Sequence, residues 1–318
     1  MRILIFFLVL AAGLSGCNRS PEFYFTRANS LLSSGKEADA LENYNKAILL
    51  KRNFPEALVA RGMLYERQGD RQKAGLDYRK ALELNASYLP AYNNQAALLM
   101  DTGNYREAEG MLSRALEVSP DYPYALLNRG LSRYKLNNCG GATEDLSRAL
   151  QFNPRFELAY YHRALCARKA DNIPAALEDL DALLALNPAA SLARFERGKA
   201  LFSLDDYAGA AQEFVKAAGL KPEDPQYAYW KALALFRAEY LEGALEAAAA
   251  AAALKPDSYQ AEGLLGDIRA AMKDATGARE HYRKAAALAP KFAAYYGARL
   301  AALNKPAAPA KKRKAPRR

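Results

Sequence analysis

The chain has only two histidines and three cysteines among its 318 residues, so it offers few of the residue types on which catalytic and metal sites depend. His162 and His281 stand 119 positions apart, and the sequence contains no HExxH, GxSxG, phosphate-binding glycine loop or dinucleotide fingerprint. Cys139 and Cys166 form no CxxC pair and have no histidines at zinc-ligand spacing. The sequence therefore predicts a protein that is not an enzyme and uses no metal or other cofactor.

A basic surface is also missing, although the formal net charge is +10. Seven positive residues and no acidic residue stand between Lys305 and Arg318, and Arg2 adds one charge near the other end. Without these eight charges, the chain between them has a net charge of +2. Binding to nucleic acid by counterion release needs a basic face or stripe. We therefore expect no nucleic-acid partner.

Long apolar runs are absent except for one near the N-terminus. The segment MRILIFFLVLAAGLSGC has a basic residue at Arg2, 12 apolar positions at 3–14, and small residues before Cys17. A membrane-spanning helix needs about 20 apolar residues, so this layout favours a secretory signal. Residues 14–17 resemble the lipobox of bacterial lipoproteins. The resemblance implies cleavage before Cys17, attachment of lipid to that cysteine, and residues 1–16 as the signal peptide.

The lipoprotein resemblance also predicts a location. Residues 17–20 become a lipid-anchored linker, and acyl chains contribute about 0.8 kcal/mol per buried methylene to membrane binding. Gram-negative lipoproteins that have a residue other than Asp after the cysteine are usually located in the outer membrane, and here that residue is Asn18. We expect a protein of the bacterial cell envelope, anchored at the periplasmic face of the outer membrane. That compartment permits a disulfide between Cys139 and Cys166. Two buried thiols are the alternative.

What the chain has in abundance is small residues at fixed places, because it repeats itself every 34 residues. The eighth place of each block is Gly or Ala, the twentieth is always Ala, and six blocks have Pro at the thirty-second. Small residues let two helices approach closely, whereas glycine near place 15 and proline at place 32 end helices. The eight blocks are 21–54, 55–88, 89–122, 123–156, 157–190, 191–224, 225–258 and 259–292. Each block is predicted to be a pair of antiparallel helices that stacks on its neighbours.

These blocks resemble the tetratricopeptide repeat, through segments such as ARGMLY (60–65) and RALEVSP (114–120) and the alanine at place 20. The resemblance covers 272 of 318 residues. It implies an all-α fold, a right-handed α-solenoid of eight tandem 34-residue helix-turn-helix repeats with a capping helix at 293–304. Block seven departs most, since seven consecutive alanines at 247–253 leave little volume to pack.

An internal correlation separates structural residues from ligand-binding ones. Place 7 is arginine in five blocks, and place 23 of the same blocks is Asp, Glu or Asn. The pairs are Arg27 with Asn43, Arg61 with Asp77, Arg129 with Asp145, Arg163 with Asp179, and Arg197 with Glu213. We predict that each pair joins the two helices of its block and that these arginines bind no ligand.

In the tetratricopeptide repeat family, ligands lie in a concave groove lined by first helices at places 2, 5, 9 and 12. An apolar patch bordered by charge is typical of a partner-binding surface, although packing between neighbouring first helices is the alternative. The candidates in blocks four to seven are Tyr124, Leu127, Leu131, Tyr134, Tyr161, Leu165, Phe195, Phe202, Tyr229 and Phe236, with Lys135, Arg168 and Lys199 at the rim. The lysine and asparagines with which one branch of the family binds a C-terminal carboxylate are absent. The expected ligand is an apolar peptide, a helix or another protein's surface.

The last residues, 305–318, contain proline and alanine but no large apolar residue, so they are predicted to form a disordered basic tail. An anionic envelope polymer or lipid would contact the tail residues Lys311, Lys312, Arg313, Lys314, Arg317 and Arg318. A tail that serves only solubility is the alternative.

The whole layout is similar to the tetratricopeptide repeat lipoproteins of type IV or Flp pilus assembly and outer-membrane secretion. It implies a non-catalytic, lipid-anchored scaffold for protein–protein interactions in the cell envelope. The same groove could serve an adaptor that recruits peptidoglycan enzymes. If the signal is not used, the alternative function is that of a cytoplasmic chaperone or nucleic-acid-associated module.

Overall fold

The computed structural model describes residues 19–303. This part of the chain forms 17 α-helices, one short 3-10 helix and no strands, so the predicted all-α solenoid class is confirmed. The predicted signal peptide lies outside the described residues. The same is true of Cys17, Lys311, Lys312, Arg313, Lys314, Arg317 and Arg318.

The chain divides into two compact units, and the first ends at Pro154. Its described part contains α1 (Pro21–Ser33), α2 (Glu37–Leu50), α3 (Pro55–Arg67), α4 (Arg71–Leu84), α5 (Leu89–Asp101), α6 (Tyr105–Val118), α7 (Pro123–Lys135) and α8 (Cys139–Phe152). Odd-numbered helices begin at the first place of a block, and even-numbered helices begin at the seventeenth. Within the unit, the two helices of a block pack on each other, and each second helix packs on the next first helix.

The second unit starts at Arg155 and continues the same alternation. It contains α9 (Glu157–Lys169), α10 (Ile173–Leu186), α11 (Ser191–Ser203), α12 (Tyr207–Leu220), α13 (Pro225–Arg237), α14 (Leu241–Leu254), α15 (Tyr259–Ala271) and α16 (Ala275–Leu288). A 3-10 turn (Pro290–Phe292) leads into α17 (Ala293–Ala302), which occupies the segment predicted to cap the repeats. Tyr296 of α17 is buried and donates a hydrogen bond to the carbonyl of Tyr259 at 3.2 Å.

The turn inside each block needs a residue in the left-handed backbone region at place 15. Three blocks use glycine there, at Gly35, Gly69 and Gly103, with φ between 75° and 83°. The other five blocks adopt the same geometry without glycine, with φ between 58° and 64°, at Asn137, Asp171, Asp205, Glu239 and Lys273. Side chains with a Cβ are strained in this region, so these five turns are held by the packing of the two helices that they join.

Close approach of the two helices explains the small residue at place 8. The even-numbered blocks have glycine there, and a Cβ would lie only 2.5–2.7 Å from the side chain at place 24. In block six, for example, a Cβ on Gly198 would meet the ring of Phe214 at 2.7 Å. Phe214 is completely buried, so the ring has no room to retreat.

The alanine-rich helix α14 is packed by its neighbours rather than by its own side chains. Ala247, Ala248 and Ala251 are buried in it, although none has much volume. The first helix of block eight supplies that volume through Leu264 and Ile268, which belong to the same buried cluster as Ala247 and Ala248. Block seven thus forms a complete helix pair despite its seven consecutive alanines.

Candidate functional site

The predicted arginine–acid pairs form in four of the five blocks, and they build the frame behind the candidate site. The carboxyl groups of Asp77, Asp145, Asp179 and Glu213 are 1–8% exposed. In block two, Arg61 Nη2 and Nε contact Asp77 Oδ1 and Oδ2 at 2.7 and 2.8 Å. These hydrogen bonds, which Arg61 donates to Asp77, raise the pKa of the guanidinium and keep it charged. In block one, the amide of Asn43 instead donates to the carbonyl of Asp39 at 2.8 Å.

The same arginines also reach back to place 25 of the preceding block. Arg61 Nη1 donates to Asn45 at 2.7 Å, and Arg129 Nη1 donates to Ser113 at 3.3 Å. In the second unit, Arg197 Nε donates to Asp181 at 2.6 Å. Each of these arginines therefore joins three helices, which gives it a structural role.

Place-24 tyrosines connect the core to the candidate surface. Each passes the small residue at place 8, and its hydroxyl donates to a side chain at place 9 or 12 of the first helix. The pairs are Tyr44 with Asn29 (2.6 Å), Tyr282 with Asp267 (2.8 Å) and Tyr78 with Glu66. Burial raises the pKa of the Glu66 carboxyl, although the hydrogen bond from Tyr78 acts in the opposite direction. Polar side chains at these places are thus positioned from inside the repeat.

In the first unit, the candidates of α7 divide between surface and core. Tyr124 is 51% exposed and Lys135 is exposed at the end of the helix. Leu131 and Tyr134 are half-buried, so they present part of their side chains. Leu127 is buried at 8% exposure, which corrects its prediction as a groove residue, because its side chain packs in the core.

In the second unit, two further candidates are core residues. Phe195 is 6% exposed, and its ring stacks on Tyr227 with centroids 4.6 Å apart. It also meets Phe214 at 5.5 Å. Leu165 is buried at 8% exposure. The prediction is corrected for both residues, since packing between neighbouring helices has removed their side chains from solvent.

The remaining aromatic candidates of the second unit are half-buried. These are Tyr161, Phe202, Tyr229 and Phe236. Phe202 packs edge-on against Trp230 and Tyr207, with centroids 5.6 and 4.9 Å apart. Trp230 is an aromatic residue that was not among the sequence-predicted candidates, because it stands at place 6 and the groove places are 2, 5, 9 and 12. Rigid aromatic side chains that keep one open face are suited to anchoring a protein ligand.

The cations of this unit share a buried acid that the sequence reasoning also missed. Glu196 is 7% exposed and contacts Arg168 Nη2 at 3.0 Å and Lys199 Nζ at 2.7 Å. Lys199 also lies over the ring of Phe195 at 5.1 Å. The spacing of Glu196, three positions before Lys199 on one helix, was a signal for this pair. Two cations around one carboxylate leave one positive charge beside the aromatic residues.

Neither a metal centre nor a membrane span is found in the part of the chain that the structure describes. No cluster of three His, Cys, Asp or Glu residues in 19–303 is arranged to hold a metal ion. Among the same residues, no helix has the length and hydropathy needed to cross a membrane. Cys166 is buried, while Cys139 is partly exposed with a free thiol, so the structure does not contain the disulfide left open by the sequence.

Comparisons with known sequences match most of the helical region. Family profiles described as tetratricopeptide repeat match residues 55–88, 93–155 and 161–228, and a profile described as TPR repeat matches residues 28–69. Together these segments cover more than half of the chain. No curated protein matches the sequence.

Solved structures show the same fold. The pilF protein of Pseudomonas aeruginosa is 20% identical with a TM-score of 0.59, over 68% of this chain and 97% of that one. A tetratricopeptide repeat protein from Parabacteroides merdae is 18% identical with a TM-score of 0.53, over 90% and 99%. YrrB, described as having an unusual peptide-binding site, is 22% identical with a TM-score of 0.50, over 56% and 92%. At these identities the likeness concerns the fold.

Proposed function

Since the chain belongs to the tetratricopeptide repeat family, whose repeats are scaffolds for protein–protein interaction, we propose that it holds segments of other proteins against its first helices. The observation that carries the proposal is the set of aromatic side chains that stay partly open there. Tyr124 is the main one in the first unit, and those of the second are Tyr161, Phe202, Tyr229 and Phe236. The scaffold is non-catalytic.

The chemistry of these residues defines the ligand class. Half-buried rings offer apolar contact area whose conformation is already restricted, so little entropy is lost when a ligand covers them. In the second unit, the positive charge left by Arg168 and Lys199 around Glu196 favours a segment with an acidic residue beside its apolar anchors. YrrB supports the class of ligand, because its description names a peptide-binding site on the same fold.

The proposed setting is the bacterial cell envelope, with Cys17 carrying the lipid at the periplasmic face of the outer membrane. The lipobox-like residues 14–17 and the apolar run before them support this assignment. Pilus assembly or secretion is the proposed process, and the shared fold of pilF from Pseudomonas aeruginosa is compatible with it. The basic tail at 305–318 is proposed as a second, weaker contact with an anionic envelope polymer or lipid.

Site-specific photocrosslinking tests the binding surface. A photoreactive phenylalanine replaces Phe202 or Tyr229, and a matched control replaces Val215, which is 44% exposed on a second helix. We expect a shared crosslinked partner at positions 202 and 229 and none at 215. The same partner at all three positions would contradict the proposal. A pilus or secretion component as partner supports the proposed process, and a peptidoglycan enzyme overturns it in favour of the adaptor.

Metabolic labelling with a palmitate analogue tests the anchor. Label is expected in the natural chain and in Cys139→Ala, and it should be lost in Cys17→Ala. Fractionation of the same strains then reports the membrane, since the natural chain should follow the outer membrane. A Cys17→Ala chain that keeps its label would refute the lipid attachment.

Deletion of residues 305–318 tests the tail. The shortened chain should keep its thermal unfolding midpoint, because these residues contain no large apolar side chain. Its binding to vesicles with anionic lipid should fall in moderate salt, because each basic residue near such a surface contributes about 1 kcal/mol. Unchanged vesicle binding would leave the tail with a role in solubility alone.

A further inference from the structure

Block three lacks the arginine that joins neighbouring blocks, and this leaves a gap. Its seventh place is Gln95, whose side chain is shorter than arginine and carries no charge. In blocks two, four and six, place 7 donates to Asn45, Ser113 or Asp181 at place 25 of the preceding block. The preceding place 25 is here Arg79, a cation that cannot accept a hydrogen bond.

A cavity of about 460 Å³ lies at this gap, between α4 and α5. Its residues on α5 and at the end of that helix stand at places 7, 10, 11 and 14, which differ from the groove places 2, 5, 9 and 12. It is lined by Arg71, Gln72, Gly75, Leu76, Arg79, Gln95, Leu98, Leu99 and Thr102. The cavity is therefore separate from the surface described above.

Gly75 keeps the cavity open. A Cβ at this position would lie 3.2 Å from Leu98, 3.4 Å from the guanidinium of Arg79 and 3.8 Å from Gln95 Oε1. Blocks one, five and seven have leucine at the same place, at Leu41, Leu177 and Leu245. The helix pair thus accepts a large side chain at place 21, and block two is the block that has glycine there.

The floor of the cavity contains an unused hydrogen-bond acceptor. Gln95 is 8% exposed, and its Oε1 accepts no hydrogen bond from any residue of the described chain. Buried polar atoms in proteins are nearly always paired, because an unpaired one loses its hydration without compensation. An N–H donor from a ligand would satisfy this oxygen.

Charge and apolar surface complete the cavity. Arg79 forms no ion pair within residues 19–303, and Arg71 has only a long contact of 3.7 Å with Asp101. Arg71 also interacts with Glu66, so the unpaired positive charge at the opening is that of Arg79. Leu76, which is 59% exposed, adds an apolar wall beside them.

We propose that this cavity binds a peptide segment that carries an Asp or Glu side chain next to an aliphatic residue. The carboxylate accepts hydrogen bonds from Arg79 and Arg71, and a backbone N–H of the segment donates to Gln95 Oε1. The aliphatic side chain packs on Leu76 and Leu98. An inorganic anion would meet the two arginines but would leave Gln95 and the leucines without partners. The proposal stands independently of the ligand on the groove surface.

The test uses the full chain and two labelled, amidated octapeptides that differ only at the centre, Leu-Glu-Leu or Leu-Gln-Leu. Fluorescence anisotropy should show the Glu peptide binding about tenfold more tightly than the Gln peptide, and salt should reduce the difference. Equal affinity for the two peptides would overturn the proposal. Competition by inorganic phosphate at the same concentration as the Glu peptide would also overturn it, because recognition would then be of charge alone.

Variants place the peptide in the cavity. Gly75→Leu should abolish binding of the Glu peptide, and Arg79→Gln should weaken it about tenfold. Arg114→Gln is the matched control, because Arg114 is an exposed arginine one block further along and should leave the affinity unchanged. Unaltered binding in Arg79→Gln would refute the site even if Gly75→Leu failed to fold, since Arg79 is exposed and its replacement does not disturb the core.

Discussion

The guanidinium of Arg129 donates two hydrogen bonds to the carboxylate of Asp145, 2.9 Å from Nε to Oδ2 and 2.8 Å from Nη2 to Oδ1. Asp145 is only 1% exposed, and Arg133 Nη1 adds a third contact at 2.9 Å. The two arginines are on α7 and the acid is on α8. A charge buried this deeply is tolerated because several donors surround it, and so the pair defines the distance between the two helices.

Asp145→Asn is therefore expected to lower the free energy of unfolding by about 3 kcal/mol, because it leaves a mostly buried arginine without its counter-charge. Urea unfolding followed by circular dichroism measures the loss. Asp121→Asn is the matched control, since the pair of Asp121 with Arg148 is exposed and its removal should cost less than about 0.5 kcal/mol. Similar losses in both variants would contradict a special role for the buried pair.

Gly198→Ala should destabilise the second unit by about 2 kcal/mol, because the new methyl group would overlap the ring of Phe214. Gly219→Ala is the control, since no heavy atom lies within 4 Å of its Cβ position. This exposed helical change should stabilise by about 0.5–1 kcal/mol. Opposite signs for the two glycines are the expected result in urea unfolding, and equal signs would contradict it.

The loss at Gly198 should be rescued by a smaller partner. Blocks three and five combine alanine at place 8 with leucine at place 24, as in Ala96 with Leu112 and Ala164 with Leu180. The double variant Gly198→Ala with Phe214→Leu recreates that combination. A double-mutant cycle should show a favourable coupling of about 1 kcal/mol or more, since the two residues are in contact. Simple additivity would mean that the overlap is relieved elsewhere.

The left-handed turns predict two changes of opposite sign. Lys273 has φ of 64°, so Lys273→Gly should raise the free energy of unfolding by about 1 kcal/mol by removing backbone strain. Gly69 has φ of 83°, and Gly69→Lys should lower the free energy by a similar amount, about 1 kcal/mol. Thermal unfolding midpoints report both changes. A decrease in the Lys273→Gly variant would be the contrary result.

Alkaline pH should weaken the fold through its buried tyrosines. Burial, followed by neighbouring tyrosines, raises the pKa of Tyr296 to about 12, whereas tyrosine in an unfolded chain titrates near 10. A pKa raised in the folded state gives stability that is complete below pH 10 and lost as the pH rises towards 12. The loss is about 1.4 kcal/mol per pH unit for each such tyrosine.

Urea unfolding between about pH 9 and 11.5 measures this slope, and Tyr296→Phe should make it shallower. Tyr240→Phe is the control, because Tyr240 is 60% exposed and its replacement leaves the contacts of Tyr296 intact. A slope that Tyr296→Phe does not change would assign the alkaline loss to other groups. Tyr78 and Tyr282 are candidates, because burial raises their pKa as well.

Much of the set of arginine–acid pairs that join the helices could be predicted, because the same pair recurs from block to block. The covariation of place 7 with place 23 predicted the contact of Arg129 with Asp145 from the sequence, since the same pairing of residue types recurs in several blocks. The candidate surface was less predictable. Leu127 and Phe195 both stand at a groove place, yet neighbouring side chains cover them, and Phe195 is covered by the stacked ring of Tyr227.

The sequence by itself determined that this protein is a series of helix pairs, because small residues, prolines and turn residues act over one or two helical turns and recur every 34 positions. Only the tertiary structure decided which first-helix side chains stay open and where a cavity forms beside Gln95. Those outcomes depend on the sizes and charges that adjoining helices happen to bring together, such as Gly75 and Arg79 opposite Gln95. The sequence of one repeat does not determine these outcomes, because each of these contacts joins residues from two neighbouring repeats.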